Sequence, residues 1–170
     1  MTARVLGITG AVGSGKSTLA RLLAERGARL VDADATAHRV LVQPEVRDTL
    51  VRRFGTTVLG ADGAIAPAVL AKAAFTDAAS LRRLTDVVYP VIREALAAEI
   101  HRLKREAESP IVLDAPTLFE ARCEDLADCV VTVEVDPALA EARSARARGW
   151  PKGEAARRER FKVPGAARRG

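Results

Sequence analysis

One short run carries the densest chemical signal in the chain: Gly10-Ala-Val-Gly-Ser-Gly-Lys-Ser-Thr18, entered from the apolar stretch Val5-Leu-Gly-Ile8. Gly, four residues, then Gly-Lys-Ser is the pattern of a phosphate-cradling loop between a strand and a helix. Its glycines let the backbone turn tightly enough for successive N–H groups to converge on one anion, and the helix that follows adds its positive end. Ala11, Val12, Gly13, Ser14, Gly15, Lys16, Ser17 and Thr18 would surround the phosphates of a nucleotide. Lys16 would reach the β- and γ-phosphates. The Ser17 hydroxyl would hold Mg²⁺, which binds nucleotides mainly through phosphate oxygens and few protein ligands.

Three carboxylates sit where a neighbouring reaction would use them. Asp32 and Asp34 follow the apolar pair Leu30-Val31, and Asp114 closes the run Ile111-Val-Leu-Asp114. Side chains at the carboxyl ends of parallel strands face the ligand crevice. If the second strand continues through Asp34, alternation sends Asp32 and Asp34 to one face. One could then orient Mg²⁺ and its waters while the other takes a proton from an incoming hydroxyl. The competing reading is an Asp that N-caps a helix beginning near Ala35. Residues 143–170 hold ten Lys or Arg against two Glu, while the rest of the chain is slightly acidic. That local basicity reads as a solvated tail, as arginines that clamp phosphates, or as a nucleic-acid contact.

The elements that must position these groups follow from the same pass. Arg4–Thr9 reads as a buried parallel strand, and Ser17–Arg26 as a helix with apolar residues at Leu19, Leu22 and Leu23 and a stop at Gly27. From Ala35 to Glu108 the pattern is helical, punctuated by Gln43-Pro44, Phe54-Gly55 and the turn Gly60–Gly63. Within that stretch come a helix from Pro67 to Phe75 and a long helix from about Ser80 to Ala107. Tyr89-Pro90 inside the long helix predicts a kink or two helices meeting. So much helix between the second and third strands exceeds what a crossover needs, which predicts an inserted subdomain over residues 35–108 that holds the second substrate. Ile111–Asp114 and Cys129–Val135 read as the third and fourth strands, and Pro137 opens a helix to Arg148. Gly149-Trp-Pro-Lys-Gly153 breaks it before a basic helix, Glu154 to Lys162, which stops near Pro164. Residues 140–165 therefore read as a mobile lid that brings arginines onto a transferring phosphate and excludes water.

Bulk properties agree with a single α/β domain: 170 residues, 48% hydrophobic, 29% charged, rich in alanine and only 4% aromatic. No apolar run reaches membrane-spanning length and no basic leader precedes the first strand, so a cytoplasmic protein with no membrane partner is expected. Cys123 and Cys129 match no zinc spacing and are expected as reduced thiols.

Taken together, these residues resemble the dephospho-coenzyme A kinases, within the P-loop nucleoside monophosphate kinase-like group. The resemblance rests on Gly7–Thr18, on Val31-Asp-Ala-Asp34 with Ala37, on Phe54-Gly55 and Asp62-Gly63, on Phe75, on Tyr89-Pro90, and on Asp114-Ala-Pro-Thr-Leu-Phe-Glu120. It implies a three-layer α/β/α fold with a parallel sheet, a helical substrate insertion and an Arg-rich lid. It implies ATP with Mg²⁺ as donor and the ribose 3′-hydroxyl of dephospho-CoA as acceptor, the last step of coenzyme A synthesis. Asp34 is then the implied base, with Lys16 and Arg143 as catalytic cations. Arg146 and Arg148 are implied on the nucleotide, and Tyr89, Arg93, Asp114 and Pro116 at the acceptor. No nucleic-acid partner is implied, and the chain is expected as a monomer or weak homo-oligomer.

The sequence departs from the family pattern in places. Tyr89-Pro90 stands for His-Pro, an expected arginine falls at Pro67 or Ala68, the lid's leading Gln is Ala140, and its second arginine is displaced to Arg146 or Arg148, while Arg143 stands where expected. In the family a further strand and helix follow the lid, so the resemblance implies a form lacking them, because this sequence stops at Arg168-Arg-Gly170. Competing readings are a P-loop kinase of another nucleotide-like molecule, an inactive nucleotide-binding remnant, a GTPase and a nucleic-acid-associated ATPase. Against the last two stand the lack of an Asn-Lys-x-Asp run and the scarcity of aromatics among the basic residues.

Overall fold

The computed structural model of the chain describes residues 3–149 and 151–162, and within them the side chain of Arg148 is left out. The expected stop at Pro164 lies outside the described residues, as does Trp150. Four strands, β1 (Val5–Gly10), β2 (Arg29–Asp32), β3 (Ile111–Asp114) and β4 (Cys129–Val133), form one sheet in the order β2-β3-β1-β4. Every pairing is parallel, with Val5 beside Ile111, Leu6 beside Cys129 and Arg29 beside Ile111. The helices are α1 (Lys16–Ala24), α2 (Ala33–Leu41), α3 (Pro44–Phe54), α4 (Pro67–Ala74), α5 (Ala78–Glu106), α6 (Pro137–Arg148) and α7 (Glu154–Glu159). This is the α/β fold with a parallel sheet.

β3 is buried along its whole length and β1 nearly so, as continuous apolar strands covered on both faces must be. Ile8, Ala20 and Val112 form a core cluster against which Leu6, Leu19, Leu23, Ala28 and Val133 pack, which seats α1 on the central strands. Leu22, expected on that inner stripe, is instead 43% exposed. The start of β1 is fixed from the side: Val5 N–H donates to Asp128 Oδ2 at 2.7 Å. This bond holds the Asp128 carboxyl below its ordinary range. A carboxyl whose folded pKa is depressed contributes stability above its unfolded pKa, and that contribution is lost as pH falls through the folded value. Asp128→Asn is accordingly expected to lower the melting temperature only slightly at pH 7, since the carboxyl is exposed, and the gap from the wild type should close as melts are repeated at pH values falling through the carboxylate range.

Two sequence expectations change here. β2 ends at Asp32 and α2 begins at Ala33, so the pleat does not carry Asp34 to the face of Asp32; Asp34 lies in the first helical turn. Ala33, Ala35 and Ala37 favour helix, and an acidic group near a helix N-terminus is stabilised by the dipole, so the chain passes from strand to helix without a loop. Tyr89-Pro90 does not separate two helices either, since α5 continues through Pro90. Proline lacks the N–H that would bond back to Asp86, a loss that the flanking turns tolerate.

The helical boundaries otherwise fall at their signals. Pro44, Pro67 and Pro137 each open a helix, and Gly55 ends α3. β4 is shorter than expected, ending at Val133, and Asp136 caps α6 by accepting from the N–H groups of Ala138 and Leu139 at 2.8 and 3.3 Å. α7 ends at Glu159, three residues before its expected end at Lys162.

The chain divides into two compact units, one comprising residues up to Ala33 and from Leu96 onward, the other Asp34–Ala95. The first contains the sheet, α1, α6 and α7; the second contains α3 and α4. α2 and α5 each cross the boundary between them. Neither cysteine forms a disulfide; Cys123 is buried and Cys129 exposed. Among the described residues no helix is long and apolar enough to cross a membrane.

Candidate active site

Gly13 and Gly15 take φ of 77° and 97°, values open to glycine at little cost, and Gly15 is the residue from which α1 departs. Thr18 and Leu19 both donate to the Gly15 carbonyl at 3.0 Å. Helix geometry leaves the amides ahead of them without intrahelical carbonyls, which gives an anion its binding surface. Lys16 is only 5% exposed, held at the head of α1, whereas the Ser17 and Thr18 side chains are exposed. Ser14 Oγ is buried with no hydrogen-bond partner among the described residues, an orphan that a phosphate oxygen would satisfy.

The loop is gripped from behind by α6. A Cβ at Gly13 would collide with the Ala140 carbonyl and lie 2.6 Å from Ser144 Oγ, a hydroxyl that donates to Ala140 O at 2.8 Å. The same packing carries Arg143 round to the front: its Nη1 lies 3.8 Å from where a Cβ on Gly15 would be. Gly13→Ala is therefore expected to destabilise the chain by about 1–3 kcal/mol through overpacking and to weaken nucleotide binding. Gly15→Ala meets no atom closer than 3.8 Å and carries only conformational strain. Thermal melts of the two variants would separate packing from strain.

Two of the predicted carboxylates stand side by side. Asp32 on β2 and Asp114 on β3 are register partners at the carboxyl ends of their strands, with Ile8 beside Asp114 on the other side. Neighbouring parallel strands are about 4.8 Å apart and register partners point to one face. Asp114 is 6% exposed and Asp32 is exposed. Pro116 lies in the turn after β3. Asp34, Tyr89 and Arg93 belong to the Asp34–Ala95 unit, where Tyr89 and Arg93 lie one helical turn apart on α5, both half-buried. Arg146 on α6 is exposed. No group of three or more His, Cys, Asp or Glu that could cage a metal occurs among the described residues. Exposed Ser17 and Asp32 suit a Mg²⁺ carried in on nucleotide phosphates rather than one held by the protein alone.

Sequence reasoning missed how α7 is held. Its N-terminal Gly153 N–H donates to Glu141 Oε1 at 2.6 Å. Arg157 and Arg158 are taken up by Glu154, each with Nε 2.8 Å from a carboxylate oxygen, and hold its carboxyl down at about 2. Those two arginines are engaged by a carboxylate of their own helix. Glu159 accepts the Val12 N–H of the loop at 2.9 Å. A cavity of about 430 Å³ lies between α6, α7 and the loop, lined by Ala11, Val12, Pro137, Ala140, Glu159 and Arg160 among others. Residues so distant in the chain leave no periodic trace; the one available signal was the carboxylate of Glu159 amid a basic run.

Comparison with known proteins adds to this geometry. A family model described as Dephospho-CoA kinase matches residues 4–170. A dephospho-CoA kinase of Corynebacterium diphtheriae is 38% identical over 157 residues, 91% of this chain and 78% of the relative. One of Symbiobacterium thermophilum is 36% identical over 141 residues, 82% of this chain and 59% of the relative. The chain thus spans about six-tenths of the length of several curated relatives that it matches. Among solved structures, TT1252 from Thermus thermophilus superposes with a TM-score of 0.81 at 33% identity, covering 99% of this chain and 85% of that one. A dephospho-CoA kinase from Campylobacter jejuni, at 20% identity and a TM-score of 0.60 over 91% of this chain and 78% of its own, shares the fold.

Proposed function

The chain belongs to the dephospho-CoA kinase family, and from that premise we propose that it transfers the γ-phosphoryl group of MgATP to the ribose 3′-hydroxyl of dephospho-CoA. The observation that supports this reading is the Arg143 guanidinium beside Gly15, where it would add positive charge to that of Lys16 and the head of α1 for a bound phosphate.

In this reaction the amides at the head of α1 and Lys16 bind the β- and γ-phosphates. Ser17 would hold Mg²⁺, with Asp32 and Asp114 toward its waters, and the ion would supply neutralising charge on the phosphate oxygens. Asp34 accepts the proton of the 3′-hydroxyl. The bond from that oxygen to the γ-phosphorus forms as the bond to the β,γ-bridging oxygen breaks, and ADP leaves. Arg143 stabilises the charge that spreads over the transferring group. Tyr89, Arg93 and Pro116 orient the acceptor, and Arg146 with Arg148 adds positive charge on the nucleotide side. The Asp34–Ala95 unit, as the bulk of the insertion over 35–108, binds the acceptor, and the lid over 140–165 excludes water. The protein works in the cytoplasm as a monomer or weak homo-oligomer.

An ADP-release assay over a small panel of acceptors tests the assignment. With purified protein and MgATP, ADP should form on addition of dephospho-CoA and not with adenosine or a simple sugar. Release with another acceptor but not with dephospho-CoA would overturn it.

A further inference from the structure

We propose that Glu159 is a positioning residue of the phosphate loop, its carboxylate fixing the backbone at Val12 so that docking of α7 sets the shape of the anion cradle. The bond from Val12 N–H to Glu159 Oε1, 2.9 Å long, joins residues 147 positions apart. Its acceptor is charged, which makes it one of the stronger backbone contacts available. Val12 stands immediately before the Gly13 turn, and Gly13 is the residue packed against Ala140 and Ser144 of α6. The first half of the loop is therefore held at two successive residues, one by each helix of the α6–α7 pair.

The carboxylate is itself held. Lys162 Nζ lies 3.1 Å from the same Oε1, and the Lys162 side chain is only 10% exposed. Ala155, one turn before Glu159 on α7, is 5% exposed and forms part of the cavity wall. The Gly153–Glu141 bond sets where α7 begins. A loop fixed in this way does not have to be ordered when phosphates arrive, so the benefit falls on nucleotide affinity. The printed bond from Glu159 reaches Val12, in the first half of the loop and ahead of the amides at the head of α1. Its loss should therefore act on the ground state more than on the chemical step.

The kinetic half of this inference rests on the proposed kinase reading; the structural half does not. Glu159→Ala and Glu159→Gln are made in the full chain, and exchange of the Val12 amide is followed by NMR without any nucleotide. Removing the acceptor should speed exchange about 10-fold in the Ala variant, a typical effect for one hydrogen bond, while Gln, which keeps an oxygen acceptor, should retain most of the protection. With MgATP, the Ala variant should raise KM for ATP about 3- to 10-fold with kcat within about twofold, and Gln should restore most of the difference. Unchanged Val12 exchange in the Ala variant would overturn the proposal, as would a fall in kcat at constant KM. Because exchange is read without acceptor or turnover, failure of the dephospho-CoA assignment leaves this result standing.

Discussion

Asp34→Asn is expected to lower kcat by about 10²- to 10⁴-fold, the usual contribution of a positioned base, with little change in ATP affinity. Asparagine keeps the shape and cannot accept the proton of the 3′-hydroxyl. Asp32 and Asp114 are register partners at the ends of β2 and β3, in the same unit as the loop, and Asp114 is buried. A side-by-side pair of carboxylates suits a cation and its waters, so Asp32→Asn and Asp114→Asn should raise the Mg²⁺ concentration needed for half-maximal rate. Asp34 lies in the first turn of α2, at the start of the Asp34–Ala95 unit. Single-turnover rates together with calorimetric ATP titrations would distinguish these effects. Retained turnover in Asp34→Asn would make Asp34 a first-turn residue that serves the helix dipole only.

Arg143→Ala should lower kcat by about 10²- to 10³-fold, the scale of one preorganised group aimed at developing charge. Arg143→Lys should recover part of the rate but not all of it, because an ammonium cannot reproduce the planar fork. The expectation is specific to this arginine. Its guanidinium lies beside Gly15, whereas Arg157 and Arg158 are engaged by Glu154, whose carboxyl remains ionised down to about pH 2. Arg146→Ala and Arg157→Ala should accordingly change kcat much less. Equal losses at Arg143 and Arg157 would mean that the lid arginines act as an undifferentiated field of charge.

The strands were readable because buried parallel strands are short, continuous apolar runs, and Ile111–Asp114 sits between Pro110 and the turn at Pro116. Helix starts were readable wherever a proline stood at the first turn, at Pro44, Pro67 and Pro137. The passage from β2 into α2 was not, since Asp32-Ala-Asp34 contains no breaker and its alternation fits a strand as well as its alanine fits a helix. The loop itself was read from its spacing, but what holds it was hidden. Gly13 reads as a residue needed for a turn; the structure adds that α6 packs where its side chain would be. Glu159 is one of two acids in a basic stretch, and only the folded chain brings it to Val12.

The most direct test of the account is the structure of the product. With purified protein, MgATP and dephospho-CoA, mass spectrometry and ³¹P NMR should show a single new phosphomonoester, coupled to the proton on the ribose 3′ carbon, formed in equal amount to ADP. A phosphate on any other hydroxyl, or ADP accompanied only by inorganic phosphate, would contradict it.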